Sequence, residues 1–180
     1  LDNHIPKLIK QGFKVAICEQ MEQPVPGKLV RREVTRVLTP GTLLENTYLA
    51  EKQNNFLAAI SKKGNAFGLA FADISTGELK VTQLSGEKAL NLVYNELYRL
   101  PVSECILASN NPQKKVDIEN TEWKDLIPDT VTPSWHTELA FNQKTAEKKL
   151  LEHFKVVSVE GFGLNSMPLA VSAIGALLNY

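Results

Sequence analysis

Residues Gly27 to Thr42 read GKLVRREVTRVLTPGT, and the rest of the chain is organised around them. The stretch is basic, with Lys28, Arg31, Arg32 and Arg36 against a single Glu33. It is also rich in β-branched residues (Val30, Val34, Thr35, Val37, Thr39), which suit a pleated, half-buried backbone. Pro40-Gly41 then stops it with a strong turn signal. The reading is a charged strand that closes one domain, followed by a turn and a linker into a second.

Side chains alternate along a strand at ~3.3 Å per residue, which places Arg32 and Arg36 on one face about 13 Å apart, with Arg31 on the other. That spacing suits two phosphate contacts along a duplex, which position a protein without reading sequence. An edge strand kept soluble by charge would look the same. The four cations Lys28, Arg31, Arg32 and Arg36 are the candidate backbone contacts.

Upstream, NHIPKLIKQG (3–12) reads as a short helix. Asn3 is its cap, Pro6 lies in its first turn, Ile5, Leu8 and Ile9 form its apolar face, and Gly12 ends it. FKVAIC (13–18) is a strand, and Glu19 to Pro26 is a loop. One helix and two strands are too little to close a core, so this is expected to be the tail of a larger domain. The absence of a starting Met and the uncapped ALLNY end fit a piece of a longer chain.

Downstream, residues 43–52 lack periodicity and read as linker. Three strands follow, Phe56–Ile60, Ala66–Ile74 and Leu79–Leu84, joined by the polar, glycine-containing turns KKGN and STGE. The period then becomes helical at Leu90, Val93, Leu97 and Leu100, with Ser85 where a cap belongs and Pro101 as the stop. CILA (105–108) is a short buried strand. Residues 110–129 form a polar excursion anchored by Trp123, Leu126 and Ile127. A helix from about Asn142 to Phe154 buries Ala146, Leu150 and Phe154. A final apolar helix begins near Ser166.

The 180 residues allow one or two domains, and 43% hydrophobic with 22% charged content is that of a soluble globular protein. There is no apolar run long enough to span a membrane and no signal peptide, so a cytoplasmic location is expected. Net charge is zero, yet residues 1–48 carry seven Lys/Arg against five Asp/Glu, and residues 49–180 carry 13 against 15. Dedicated nucleic-acid modules are far more basic, so any DNA contact belongs to the first segment. Cys18 and Cys105, each in an apolar run, are expected as buried reduced thiols.

The segment CEQMEQPVPGKLVRREVTRVLTPGT, Cys18 to Thr42, resembles the end of the mismatch-recognition domain of the MutS family. There the family shows an AICEQ-like strand, a proline-containing acidic loop, a basic R-x-V-x-R-x-x-TPGT strand and then a connector domain. The likeness continues through NNFLAAI (54–60), ADISTGEL (72–79) and GFG (161–163). It implies an α/β chain: a partial α+β mismatch-recognition domain over 1–40, a linker over 41–53, and a ribonuclease H-like connector with a mixed sheet over 54–180. The order of strands and helices suits that topology.

The resemblance also implies double-stranded DNA and a MutL-type protein as partners. In such a family the connector couples the DNA clamp to a distant ATPase, in a homodimeric parent that binds ATP and Mg. No cofactor or metal is expected on this segment, and no catalysis by it. The family's Phe-x-Glu wedge, its clamp and its nucleotide-binding domain match nothing in these residues.

The rival reading is a metal-dependent nuclease of ribonuclease H-like fold, with carboxylates drawn from Asp73, Glu78, Glu96 and Glu104. Two-metal sites need three or four carboxylates in one cavity, and Asp73 is better placed to cap the hairpin turn, with Glu78 solvated. GFGLNS (161–166) looks like a dinucleotide fingerprint lacking its third glycine, and reads as a sharp turn with Ser166 capping the next helix. His4, His136 and His153 show no metal-ligand spacing.

Overall fold

The computed structural model describes residues 4–43, 54–112 and 116–180. Its first part is a short helix α1 (Ile5–Lys10) and a two-stranded antiparallel ribbon of β1 (Val15–Gln20) and β2 (Arg32–Leu38). Pro6 opens α1, and Gly12 follows it at φ +79°, the left-handed backbone expected of it. The expected cap, Asn3, lies outside the described residues. Ile5 and Ile9 pack with Leu43 against Val15, Ile17 and Leu38, so α1 covers one face of the ribbon.

The second part is one mixed sheet of five strands in the order β5-β4-β3-β6-β7. These are β3 (Phe56–Lys63), β4 (Ala66–Asp73), β5 (Glu78–Ser85), β6 (Val102–Ser109) and β7 (Thr132–Thr137). β3, β4 and β5 form an antiparallel meander, and β6 and β7 run parallel to β3. The mixed α/β sheet is thus as expected. Both of its faces are covered, which is why β3 and β4 read as nearly continuous apolar runs.

On one face, Phe56, Ala58, Ile60, Leu69 and Phe71 pack with Val93 and Leu97 of α2 (Ala89–Arg99) and with Trp123, Leu126 and Ile127 of the excursion. On the other, Leu57, Ala59, Ala70 and Ile106 pack under α3 (Gln143–Phe154) and α4 (Pro168–Leu178). Small residues let α4 come close. A Cβ on Gly68 would lie 2.0 Å from the carbonyl carbon of Leu169, and one on Gly175 would lie 2.2 Å from Ala146 Cβ. Gln83 Oε1 accepts from the Leu169 amide at 2.9 Å, tying the start of α4 to β5.

Several local expectations fail, each for a physical reason. Ser85 is the last residue of β5 and caps nothing, because the strand runs on and α2 starts only after Lys88. Ser166 sits in a turn, and α4 opens instead with Pro168, a residue suited to a first helical turn. Phe154, expected to be buried, is exposed, because it stands in the last turn of α3 where the helix leaves the sheet's cover. Nothing in the sequence pattern points to β7. Its TPSWHT sequence contains Pro133, which a strand tolerates at an edge, and β7 is the edge strand. Asn142 does cap α3, accepting from the Thr145 amide at 3.1 Å.

The turn at Pro40-Gly41 is present as a 3-10 turn (Pro40–Thr42), and it is buried against the second part. Of the expected linker, residues 44–53 lie outside the described residues.

Candidate functional site

The basic candidates all lie on the ribbon, but the structure does not group them as alternation predicts. Cys18 pairs with Val34 while Ile17 pairs with Arg36, so Thr35 is an extra residue forming a bulge. Its hydroxyl reaches back to the Ile17 carbonyl at 3.3 Å. Cross-strand partners share a face, and the bulge reverses alternation between Val34 and Arg36. Arg32, opposite Gln20, therefore stands on the outer face with Cys18 and Val34. Arg36, opposite Ile17, stands on the face that α1 covers. The expectation that Arg32 and Arg36 share a face is wrong, because a single inserted residue exchanges the faces.

Arg31 forms an ion pair with Glu33, and its amide donates to Glu22 Oε1 at 2.8 Å. Lys28 lies in the exposed loop, its amide closing a turn on the Val25 carbonyl at 3.1 Å. Cys18 is exposed, against expectation, because nothing among the described residues packs on the outer face of β1. Cys105 is buried, and burial first, then the neighbouring Glu104 carboxylate, pushes its thiol up.

A dense polar constellation lies at the foot of the ribbon. Glu104, on β6, is fully buried. A carboxylate taken out of water is tolerable only with partners, and it has them. The Thr39 hydroxyl donates to Oε2 at 2.5 Å and the Gly41 amide donates to the same oxygen at 2.9 Å. The Tyr180 hydroxyl donates to Oε1, and Lys14 Nζ stands 3.9 Å from it.

Lys14 donates to Ser134 Oγ at 2.8 Å and lies 4.8 Å from the Tyr180 ring centre. Burial and then the Glu104 carboxylate raise the Tyr180 phenol above its ordinary range, so it remains a donor. His136, whose ring packs 5.2 Å from that of Tyr180, is pushed down by burial and then by the Lys14 cation.

Close approach completes this junction. A Cβ on Gly41 would stand 2.7 Å from Leu57 Cδ1 and 3.0 Å from Glu104 Cβ, so only glycine lets the turn reach the carboxylate. Asn55 Nδ2 holds the Pro40 carbonyl at 2.8 Å. The sequence carries one signal for all this, a Glu inside the apolar run VSECILA, which has to find donors from elsewhere in the chain.

Comparison with known proteins matches the two parts separately. The family model of MutS domain I matches residues 1–47, and that of MutS domain II matches residues 55–180. The chain belongs to the MutS family. The DNA mismatch repair protein MutS of Acaryochloris marina is 44% identical over 185 aligned residues, covering all of this chain and 21% of that protein. That of Nostoc punctiforme is 44% identical over 179 residues, and that of Symbiobacterium thermophilum 43% over 178. The chain thus spans about a fifth of the length of these relatives.

With the MutS family established, the nuclease reading loses its geometry as well. Asp73 pairs with Phe56 in register, and Glu104 pairs with the next residue, Leu57, so the two carboxylates project from opposite faces of the sheet. Among the described residues no three His, Cys, Asp or Glu side chains are grouped as a metal would require. Asp73 instead closes the β4–β5 hairpin. Its Oδ1 accepts from the Ser75 amide at 2.9 Å and the Ser75 hydroxyl at 2.6 Å, and Gly77 turns the chain at φ +73°. Burial pushes the Asp73 carboxyl up, but the hydroxyl and amide of Ser75 and the amide of Thr76 outweigh it, leaving it below the usual range.

Gly163 takes the positive φ (+70°) expected of the GFG turn. No helix among the described residues is long and apolar enough to cross a membrane.

Proposed function

We propose that this chain is a coupling module of a DNA mismatch repair protein. Its domain I ribbon stands beside the duplex, and its domain II acts as a ribonuclease H-like connector toward an ATPase carried elsewhere in a cytoplasmic, homodimeric parent that binds ATP and Mg. Domain II also offers a surface to a MutL-type protein. The observation that carries the reading is the junction at Glu104, where side chains from both matched domains meet on one buried carboxylate. A strand order of antiparallel meander followed by two parallel strands supports the connector topology.

In this reading the basic candidates Lys28, Arg31, Arg32 and Arg36 read no base, and of the two strand arginines Arg32, on the open face, makes the phosphate contact. Few charges are involved, so duplex affinity at physiological salt should be non-specific, about 10⁻⁴ M or weaker. Fluorescence anisotropy with a matched and a G·T-mismatched duplex should return equal affinities that fall with salt. Tight binding with a mismatch preference would overturn the reading, because these residues would then recognise the mismatch rather than only position the duplex.

A further inference from the structure

The ribbon has two legs, and both end on the same group. Lys14 immediately precedes β1 and Thr39 immediately follows β2, and Val15 and Leu38 pair as the first rung between them. Thr39 and Gly41 bond to one oxygen of Glu104, while Lys14 and Tyr180 approach the other. A hairpin held by one leg can swing, whereas one held by both legs has its direction set. Lys14 is half-exposed and its ammonium is long for an ion pair, so solvent screens that leg. The hydrogen bonds of Thr39 and Gly41 are buried and unscreened, and carry more of the constraint.

From these contacts we infer that Glu104 is a positioning residue. Its carboxylate mounts the base of the domain I ribbon on β6 of domain II and sets the ribbon's direction. Tyr180, two residues beyond α4, is the fourth contact of that mount, so a displacement of α4 reaches the ribbon through one phenol and one carboxylate. Such coupling runs both ways, and a force on the ribbon biases α4 equally. The purpose of the mount, aiming the ribbon at a duplex, rests on the function proposed above. Its existence does not.

The mount is testable in the full chain without DNA. Cys18 is exposed and Cys105 buried, so a nitroxide goes to Cys18, with a second at Lys148→Cys on the exposed side of α3. Pulsed electron resonance then reads the distribution of distances between ribbon and sheet. The native pairings should give one narrow distribution. Lys14→Met with Thr39→Val, which leaves domain II untouched, should broaden it severalfold, and Glu104→Gln should broaden it comparably.

Combining the three should add little, because all of them weaken one mount and none deletes the Gly41 amide that donates to it. Tyr180→Phe should shift or broaden the distribution while circular dichroism is unchanged, an effect that packing alone would not produce. An unchanged distribution in the Lys14/Thr39 variant overturns the proposal, and that variant decides should Glu104→Gln fail to fold. Broadening in a chain that binds no duplex at any salt leaves the mount standing and removes the DNA reading.

Discussion

The ribbon and the five-stranded sheet are both β structure, and they are stabilised in different ways. β3 and β4 are buried on both faces, between α2 on one side and α3 with α4 on the other. β1 and β2 are exposed along most of their length, with one face covered, among the described residues, by α1 and Leu43. An isolated two-stranded hairpin is marginal in water. Among the described residues the ribbon is therefore held by that small apolar cluster and at its ends, through Lys14, Thr39 and Gly41, whereas the sheet is held through its middle. A region held at its ends can be redirected without being unfolded, and a region held through its core cannot.

The sharpest way to break this contrast is to push α4 off the sheet. Gly68→Ala puts a methyl group 2.0 Å from the Leu169 carbonyl carbon, where only backbone can give way. Overpacking of this kind costs about 3 kcal/mol. Urea unfolding followed by the fluorescence of Trp123 and Trp135, both in domain II, should show that loss. A loss below about 1 kcal/mol would mean that α4 docks with slack, and that the sheet depends less on its faces than the close packing of α4 implies.

The sheet is more legible in the sequence than the ribbon, and the reason is physical. Alternation and apolar runs report burial, so Phe56–Ile60, Ala66–Ile74 and Leu79–Leu84 are legible from their side chains, and all three are strands. β7 escapes because an edge strand with Pro133 and Ser134 has little apolar pattern to show. The Thr35 bulge escapes because one inserted residue leaves no trace in composition, yet it moves Arg36 to the other face. The junction escapes for a third reason. Glu104, Tyr180 and Lys14 are far apart in the chain, and only the fold brings them together. As a carboxylate in the sequence Glu104 is a candidate metal ligand, whereas its surroundings in the fold are hydrogen-bond donors.

A smaller effect is expected where the sheet ends in a turn. Asp73→Asn keeps an acceptor for Ser75 and Thr76, so it should cost under about 1 kcal/mol at neutral pH. The sign with pH follows from the lowered carboxyl. Stability from Asp73 is fully present above the ordinary aspartate value of about 3.9 and is lost as pH falls through the lower folded value. Urea midpoints of wild type and Asp73→Asn should therefore converge on acidification below about pH 3.9. A gap that stays constant from neutral pH into that range would show that the carboxylate contributes nothing by its charge.

The smallest effect on stability, and the most informative about the ribbon, belongs to its arginines. Arg32 and Arg36 are exposed, and truncating either should change folding stability by no more than about 0.5 kcal/mol. Their effect on duplex binding should be unequal, because the Thr35 bulge puts them on opposite faces and α1 occupies the face of Arg36. A duplex lying on the open face meets Arg32 first. Arg32→Ala should then reduce the dependence of log affinity on log salt by about 0.9, the release expected of one phosphate contact, while Arg36→Ala leaves the slope near that of wild type. Equal reductions would mean that the duplex crosses the edge of the ribbon rather than one face. A reduction confined to Arg36→Ala would mean that the duplex approaches from the side of α1, leaving the open outer face away from the DNA.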